Sequence, residues 1–467
     1  MSRMGKDRPI LRRALPAAFL VCSIILQFMP APFAGAADGS APDWVVSSVS
    51  ELKGTVKDLR ANLIIESGGE LRMTNATLVL NCSRDGEFEI LVKAGGKLTG
   101  TGANITYGPL KARYWFRVSG TLELADSEVS GTRGMFDMGG IYITSSTVSL
   151  TRCHLYDHQW YALMINGSSP SISGCTIDRC RSGIKVEHGG APTISDNTIK
   201  DNEREAITCL NSNPAIRNNR ILRNWRGIGL FESEPEISGN EITGQGQLGI
   251  ECTDFSDATI TGNTITGSGE AGISVVFSSP KIISNTISSN GVGINSTTSK
   301  VTIEKNTISG NRGWGIFAKG GKPSLNGNKY QDNAGNGNAL GALAIVWALS
   351  VKVVDSENKP VDGATVTVTD KAGKTVFKGV TGNDGFSSGI ELFQSRTDNN
   401  GQAKADTPHK VTVRWKDLSD SQTISIDKDQ LLTANLGKQP RGFLPGADLP
   451  LTVLAVGLLL VLWRFRR

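Results

Sequence analysis

The residues of this sequence that could do chemistry are aromatic, cationic and carboxylate side chains recurring at one interval. Trp160, Arg181, Arg204 and Trp225 follow one another at steps of 21 to 23 residues. Tyr161, Ser182, Glu205 and Arg226 come one position later in each unit, and Lys185 lies a little further along the second. If the interval is one structural repeat, these side chains share a surface. Aromatic faces stack on sugar rings, and Arg and Lys bind uronate carboxylates. Trp160, Tyr161, Arg181, Lys185, Arg204, Glu205, Trp225 and Arg226 are therefore candidate ligand-binding residues for an extended acidic polysaccharide. A glycoside hydrolase needs two carboxylates at a set separation, and Glu205 with Glu251 or Glu232 is the available pair. A lyase or epimerase needs a base beside a neutralised carboxylate; Lys185 or His188 with Arg226 would serve. The same residues also read as ordinary solvated positions on the outside of a rod, so no catalytic residue is assigned. With no Cys-x-x-Cys and no His pair, neither a metal site nor a cofactor is expected.

The element that must position these residues is a repeat from Pro170 to about Asn338. Pro170, Pro192, Pro214, Pro235, Ala258, Pro280, Val301 and Pro323 open equivalent units, with steps of 22, 22, 21, 23, 22, 21 and 22 residues. An aliphatic residue follows two positions later, from Ile172 to Leu325, and another seven positions later, from Ile177 to Ile308. Between them stand Cys175 and then Asn197, Asn219, Asn240, Asn263, Asn285, Asn306 and Asn328. Ile and Thr with Gly, Ser and Asn at the corners read as short strands and tight turns. No helical period of apolar residues is present. One coil cannot bury its Ile residues alone, but stacked coils bury them in a continuous column. At the ~4.8 Å spacing of a sheet, stacked Asn amides bond one to the next. The Asn column is thus expected inside, as a structural ladder. A leucine-rich solenoid of similar length would need an L-x-x-L-x-L run before its Asn, and the lead-in here is Pro192-Thr193-Ile194-Ser195-Asp196.

On these residues the chain resembles right-handed parallel β-helix proteins with short coil repeats. These include periplasmic copper-protein-like solenoids and the carbohydrate-binding and sugar-hydrolase repeat domains. The resemblance spans roughly 60–340 and speaks to fold more than activity. The paired-Asp and Gly-His-Gly signatures of pectin-degrading hydrolases are absent. Broader units before the array continue its strand: Ile64-Ile65, Leu91-Val92, Phe116-Arg117-Val118, Ile141-Tyr142-Ile143 and Leu163-Met164-Ile165. Counting them predicts about twelve coils and a rod ~55–60 Å long.

The termini set the compartment. Residues 1–36 carry Arg3, Lys6, Arg8, Arg12 and Arg13, then the apolar run Ala14–Met29 and Ala34-Gly35-Ala36. This reads as a signal peptide with a small-residue cleavage site. The formal net charge of +5 resides largely there and in Arg464, Arg466 and Arg467. No basic stripe remains to suggest nucleic acid. Seven cysteines in an exported chain raise the question of disulfides. Cys209 and Cys252 stand two coils apart, too far to bridge, and read as core residues. Cys153 and Cys175 stack in adjacent coils and could be bridged or free. Cys22 lacks a lipobox, so no lipoprotein is expected.

The remaining organisation is a linker and N-terminal cap at 37–60, the parallel β-helix at 61–340 and a β-sandwich stalk at 341–438. Lys359-Pro360-Val361-Asp362-Gly363-Ala364 and Thr381-Gly382-Asn383-Asp384-Gly385 resemble landmarks of carboxypeptidase-regulatory-like modules, which implies a spacer. A transmembrane helix is expected at 443–463 with a basic cytoplasmic tail at 464–467. The apolar run Leu449–Trp463 alone would reach ~22 Å of a ~30 Å hydrocarbon core, so the preceding residues must contribute. Its basic end belongs inside, which leaves the bulk of the chain at the cell surface. Leu444-Pro445-Gly446, the apolar run and the basic end also resemble sorting signals that are cut and replaced by a lipid, although Ala447 stands where such signals carry Phe. The fold class expected is all-β: a right-handed parallel β-helix, a small β-sandwich and a C-terminal transmembrane helix.

Overall fold

The computed structural model describes residues 41–135, 137–334 and 341–437. The expected signal peptide, membrane segment and basic tail lie outside the described residues. Among the described residues, no helix is long and apolar enough to cross a membrane.

From Asp43 the chain winds into a solenoid. Each coil gives one strand to each of three parallel sheets. The first sheet runs from Trp44–Val46 to Ile316–Lys319. The second runs from Val49–Lys53 to Ser324–Asn326 and the third from Val56–Leu59 to Lys329–Gln331, 13 strands each. Thirteen coils replace the expected twelve or so. The additional coil is 44–59, expected as linker and cap: Trp44 pairs with Leu63, Val49 with Glu70 and Val56 with Thr77. It lacks corner Asn and register Ile, so nothing in its composition marked it.

The strands of the second and third sheets are mostly three residues long, as in Thr193–Ser195 and Thr198–Lys200. Their central Ile points inward and its neighbours outward, which is the period of a pleated strand. Ile194, Ile216, Ile237 and Ile260 stack by register and are fully buried. At about 25 cal/mol per Å² of apolar surface removed from water, this column is the main stabilising term of the rod.

Three corners carry polar ladders. Between the second and third sheets, Asn197 Oδ1 accepts from Cys175 N at 2.8 Å and Asn219 Oδ1 from Asn197 N at 3.0 Å. The pattern continues through Asn240, Asn263, Asn285, Asn306 and Asn328. Upstream, Cys153 N donates to Cys175 Sγ at 3.4 Å, and both cysteines are free and buried. Cys209 and Cys252 are also free and fully buried. At the corner between the third and first sheets, a second ladder links Cys180, Asn202, Asn224 and Gln245, then Ser268, Asn290, Asn311 and Asn333. At the remaining corner, the hydroxyls of Ser233, Ser256, Ser278 and Ser299 each accept the backbone N–H of the serine one coil earlier, starting with Ser212.

The C-terminal module is fused to the solenoid rather than held away from it. Its strand Leu343–Val354 pairs in parallel with Ile316–Lys319, extending the first sheet by one layer. The same strand then pairs antiparallel with Phe386–Thr397 and parallel with Gln430–Asn435. A four-stranded antiparallel sheet, formed by Thr375–Val380, Thr365–Thr369, His409–Trp415 and Leu418–Ile424, completes the module. Leu343 and Ile345 belong to the solenoid core, while Leu349, Val351 and Val353 belong to a second core with Val366, Ile390 and Val411. One apolar run thus serves two cores, which is why the module cannot hang as a free stalk.

Candidate functional site

The eight candidate residues separate into two adjoining groups around the first sheet. Trp160, Arg181, Arg204 and Trp225 form a column at the corner before the sheet, one residue per coil. Backbone bonds fix the register: Ser182 N donates to Trp160 O at 2.8 Å, Arg204 N to Arg181 O at 2.7 Å and Trp225 N to Arg204 O at 3.0 Å. The Arg181 guanidinium lies 3.9 Å from the centroid of the Trp160 ring. Trp225 is 50% exposed, and Arg204 is exposed with no ion pair among the described residues. The hairpin Gly134–Met135 with Met138–Gly139 walls the upstream end of this column. Gly134 is required there, because a Cβ at that position would lie 2.7 Å from Trp160 Cβ.

Tyr161, Lys185, Glu205 and Arg226 occupy the outer face of the first sheet. Register places Tyr161 beside Ser182 and Glu205 beside Arg226. Lys185 and Glu187, two residues apart, point to the same side. They meet at 2.7 Å, and although they face outward they are only 6% and 5% exposed. Asn166 Nδ2 donates to Glu187 Oε1 at 3.1 Å and to the Tyr142 hydroxyl at 3.0 Å. Lys185 Nζ lies 5.6 Å from the Tyr161 ring centroid. Arg226 donates to Glu251 at 2.9 Å and to Gln247 Oε1 at 2.5 Å, and Ser182 Oγ donates to Glu205 at 3.4 Å.

Burial sets the electrostatics. It raises the Glu251 carboxyl above its ordinary range, against the opposing pull of Arg226, with Glu205 adding a like charge. Burial and then Glu205 raise the Tyr161 phenol, and burial raises that of Tyr142. The arrangement offers hydrogen-bonding carboxylates and amides on the sheet and aromatic faces with cations on its edge.

The other catalytic candidates are not brought together. His188 and Glu232 sit on the opposite corner in left-handed backbone conformations, φ 57 and φ 47, and both are exposed. Lys185 is held by Glu187, so it is not placed as a loose base beside Arg226. Tyr142 and Glu187 completed the sheet-face cluster without standing among the candidates. The available signal was spacing: Tyr142 lies opposite Met164, and Met164 opposite Lys185. Among the described residues, no group of three or more His, Cys, Asp or Glu is placed to hold a metal ion.

Residues 60–215, 118–256 and 211–381 match the family described as right-handed beta helix region. Together these matches cover more than half of the chain, and the chain belongs to this family. Among solved structures it is similar to a double mutant of the periplasmic alginate epimerase AlgG, at TM-score 0.51 and 14% identity over 59% of this chain and 78% of that one. The Dettilon tailspike protein aligns at TM-score 0.42 and 16% identity over 78% of this chain and 71% of its own. A mutant tailspike protein of E. coli bacteriophage HK620, in complex with a hexasaccharide, aligns at TM-score 0.39 and 10% identity over 79% and 87%. At these identities the likeness is one of fold. No curated protein matches the sequence.

Proposed function

We infer that this protein binds an extended acidic polysaccharide along the corner and outer face of the first sheet. The observation that carries the reading is the corner column. Trp160, Arg181, Arg204 and Trp225 come from four successive coils, so a chain lying along the rod meets a ring face or a cation at each layer, ~4.8 Å apart. A sugar ring stacks on the exposed Trp225 indole and carboxylates pair with the guanidinia, the Trp160 ring holding that of Arg181 in place. The alginate epimerase that shares the fold is named for a polysaccharide, which accords with this class of partner. Trp225→Ala should weaken binding of an oligouronate by ~1–2 kcal/mol through lost stacking. Arg204→Ala should lower affinity and flatten its salt dependence. Calorimetry checks both, and unchanged binding in both variants would move the site elsewhere.

A second reading is supported by Glu251. A half-buried carboxyl with a raised pKa, next to Arg226 and near Glu205, is the kind of group that donates a proton in glycan cleavage or epimerisation. Turnover of a uronate polymer that disappears in Glu251→Gln would support it; polymer left unaltered by the native protein would leave binding alone.

The same proposal extends to location. The export signal at 1–36 and the apolar run with its basic end at 443–467 accord with a rod held outside the cell by a membrane anchor, the C-terminal module being a β-sandwich of carboxypeptidase-regulatory type. Protease added to intact cells should remove residues 38–440. Full protection would refute that topology.

A further inference from the structure

We propose that the cleft between the last two coils and the C-terminal module is a second saccharide site, taking a single sugar unit that carries a carboxylate. The cleft has a volume of about 600 Å³ and is lined by Lys300, Lys322, Trp347, Ser299, Thr302 and Ser324. It shares the ligand class of the reading above but none of its residues. It lies at the corner between the first and second sheets, on the other edge of the first sheet from Trp225.

The site arises from an interruption in the serine ladder. In earlier coils each serine N–H is taken by the hydroxyl of the next coil, as Ser278 N is by Ser299 Oγ at 3.2 Å. The next position is Gly321, which has no hydroxyl to offer. Ser299 N–H therefore has no hydrogen-bond partner among the described residues. A Cβ at Gly321 would lie 2.4 Å from Ser299 O, so the chain cannot fill the gap there with a side chain. An unmet backbone donor of this kind needs an acceptor from solvent or ligand.

The walls specify what that acceptor belongs to. Trp347 is half-buried, and its indole N–H is already given to Gln394 at 2.8 Å. With that bond made, the ring contributes a face rather than a donor, and an indole face suits the C–H side of a pyranose. Lys300 and Lys322, in successive coils, are exposed and make no ion pair among the described residues. Of the neighbouring charges, Lys319 pairs with Glu391, while Asp429 accepts from Ala348 N at 2.7 Å and keeps its negative charge beside Gly320. Two uncommitted ammonium groups, one aromatic face and the hydroxyls of Thr302 and Ser324 match a uronate unit. A neutral sugar would leave the lysines unused.

The test is calorimetric titration of the full-length protein with a trimeric oligouronate at low salt. The native protein should take up two equivalents. Lys300→Ala/Lys322→Ala should weaken one of them at least tenfold and leave the other unchanged, while Trp225→Ala should do the converse. In parallel, in a Trp225→Ala background that weakens the corner, Trp347→Phe keeps the packing and should abolish the ligand-induced change in indole fluorescence seen at ligand concentrations that fill the cleft. Two unaltered equivalents in the double lysine variant, or a fluorescence change surviving Trp347→Phe in the Trp225→Ala background, overturn the proposal and leave the corner reading intact. One equivalent, lost in the lysine variant and untouched by Trp225→Ala, supports the cleft and sinks the corner. No uptake, or equal uptake of a neutral gluco-oligosaccharide at the cleft, also overturns it.

Discussion

Asn240 shows what a single residue does in this rod. It is 1% exposed, yet all its polar groups are met. Its Oδ1 accepts from Asn219 N at 2.8 Å and Asn219 Nδ2 at 3.0 Å, and its Nδ2 donates to Ile216 O at 3.0 Å and Asn263 Oδ1 at 2.9 Å. Asn240→Leu removes the acceptor of one neighbour and the donor to another, leaving buried groups unpaired. The expected loss is about 1–3 kcal/mol in a denaturation midpoint, and an unchanged midpoint would contradict the ladder's energetic role. His158 makes a second residue-scale case. Its Nδ1 meets the Thr132 hydroxyl at 2.6 Å, and its Nε2 has no hydrogen-bond partner among the described residues. Burial above all, with Arg113 helping and Asp157 opposing, lowers its pKa from 6.5 to about 3. The unfolded chain therefore takes up a proton that the folded chain refuses. Stability from the neutral ring is full above 6.5 and is lost as pH falls from 6.5 toward about 3. His158→Gln should lessen the acid loss across that window relative to the native protein; parallel curves of stability against pH would refute it. The Asn register was legible in the sequence because one residue type recurs at one step. Tyr142 and Glu187 were not, since outward positions are constrained only to be wettable.

At the scale of elements, the corners differ in how openly the sequence displays them. The first ladder announces itself with seven Asn. The second does the same work with Cys180, Gln245 and Ser268 interrupting its Asn residues, and the mixture weakens its compositional signal. The first coil was hidden for the same reason. The second ladder also shows how the solenoid ends. Asn333, its last member in the coils, donates from N and Nδ2 to Asn399 Oδ1 at 3.2 and 2.9 Å. Asn399 Nδ2 returns a bond to Asn333 O at 2.9 Å. A turn of the C-terminal module, 66 residues away, thus supplies the amide that a further coil would have supplied. Asn399→Ala should cost about 1–3 kcal/mol, concentrated at this corner because Asn333 loses its acceptor. Hydrogen exchange should speed up at the Asn311 and Asn333 amides while those of Asn219 and Asn240 keep their protection. A uniform change, or none, would show that the mimicry is incidental.

For the molecule as a whole, the shared strand decides what the C-terminal module is for. A parallel solenoid has two open ends, and each exposes unpaired strand edges that recruit other chains unless covered. The downstream end of the first sheet is closed by Leu343–Val354, and Trp314, only 2% exposed, lies 6.1 Å from Phe393 of the module. The landmarks at 359–364 and 381–385 imply a spacer, whereas the strand Leu343–Val354 continues the first sheet. Sequence shows that Ala342–Val354 is apolar, and it does not show that the run is divided between two cores. Ending the chain at Asn333 should therefore do more than shorten it. Ile316–Lys319 would become an edge, and Trp314 and Ala318 would lose their cover. The expected outcome is a shift to self-associated species in size-exclusion chromatography with light scattering, together with a lower unfolding midpoint than the full-length protein. A version ended at Asn333 that stays as dispersed and as stable as the full-length chain would show that the last coil closes the rod by itself and that the module serves as a spacer after all.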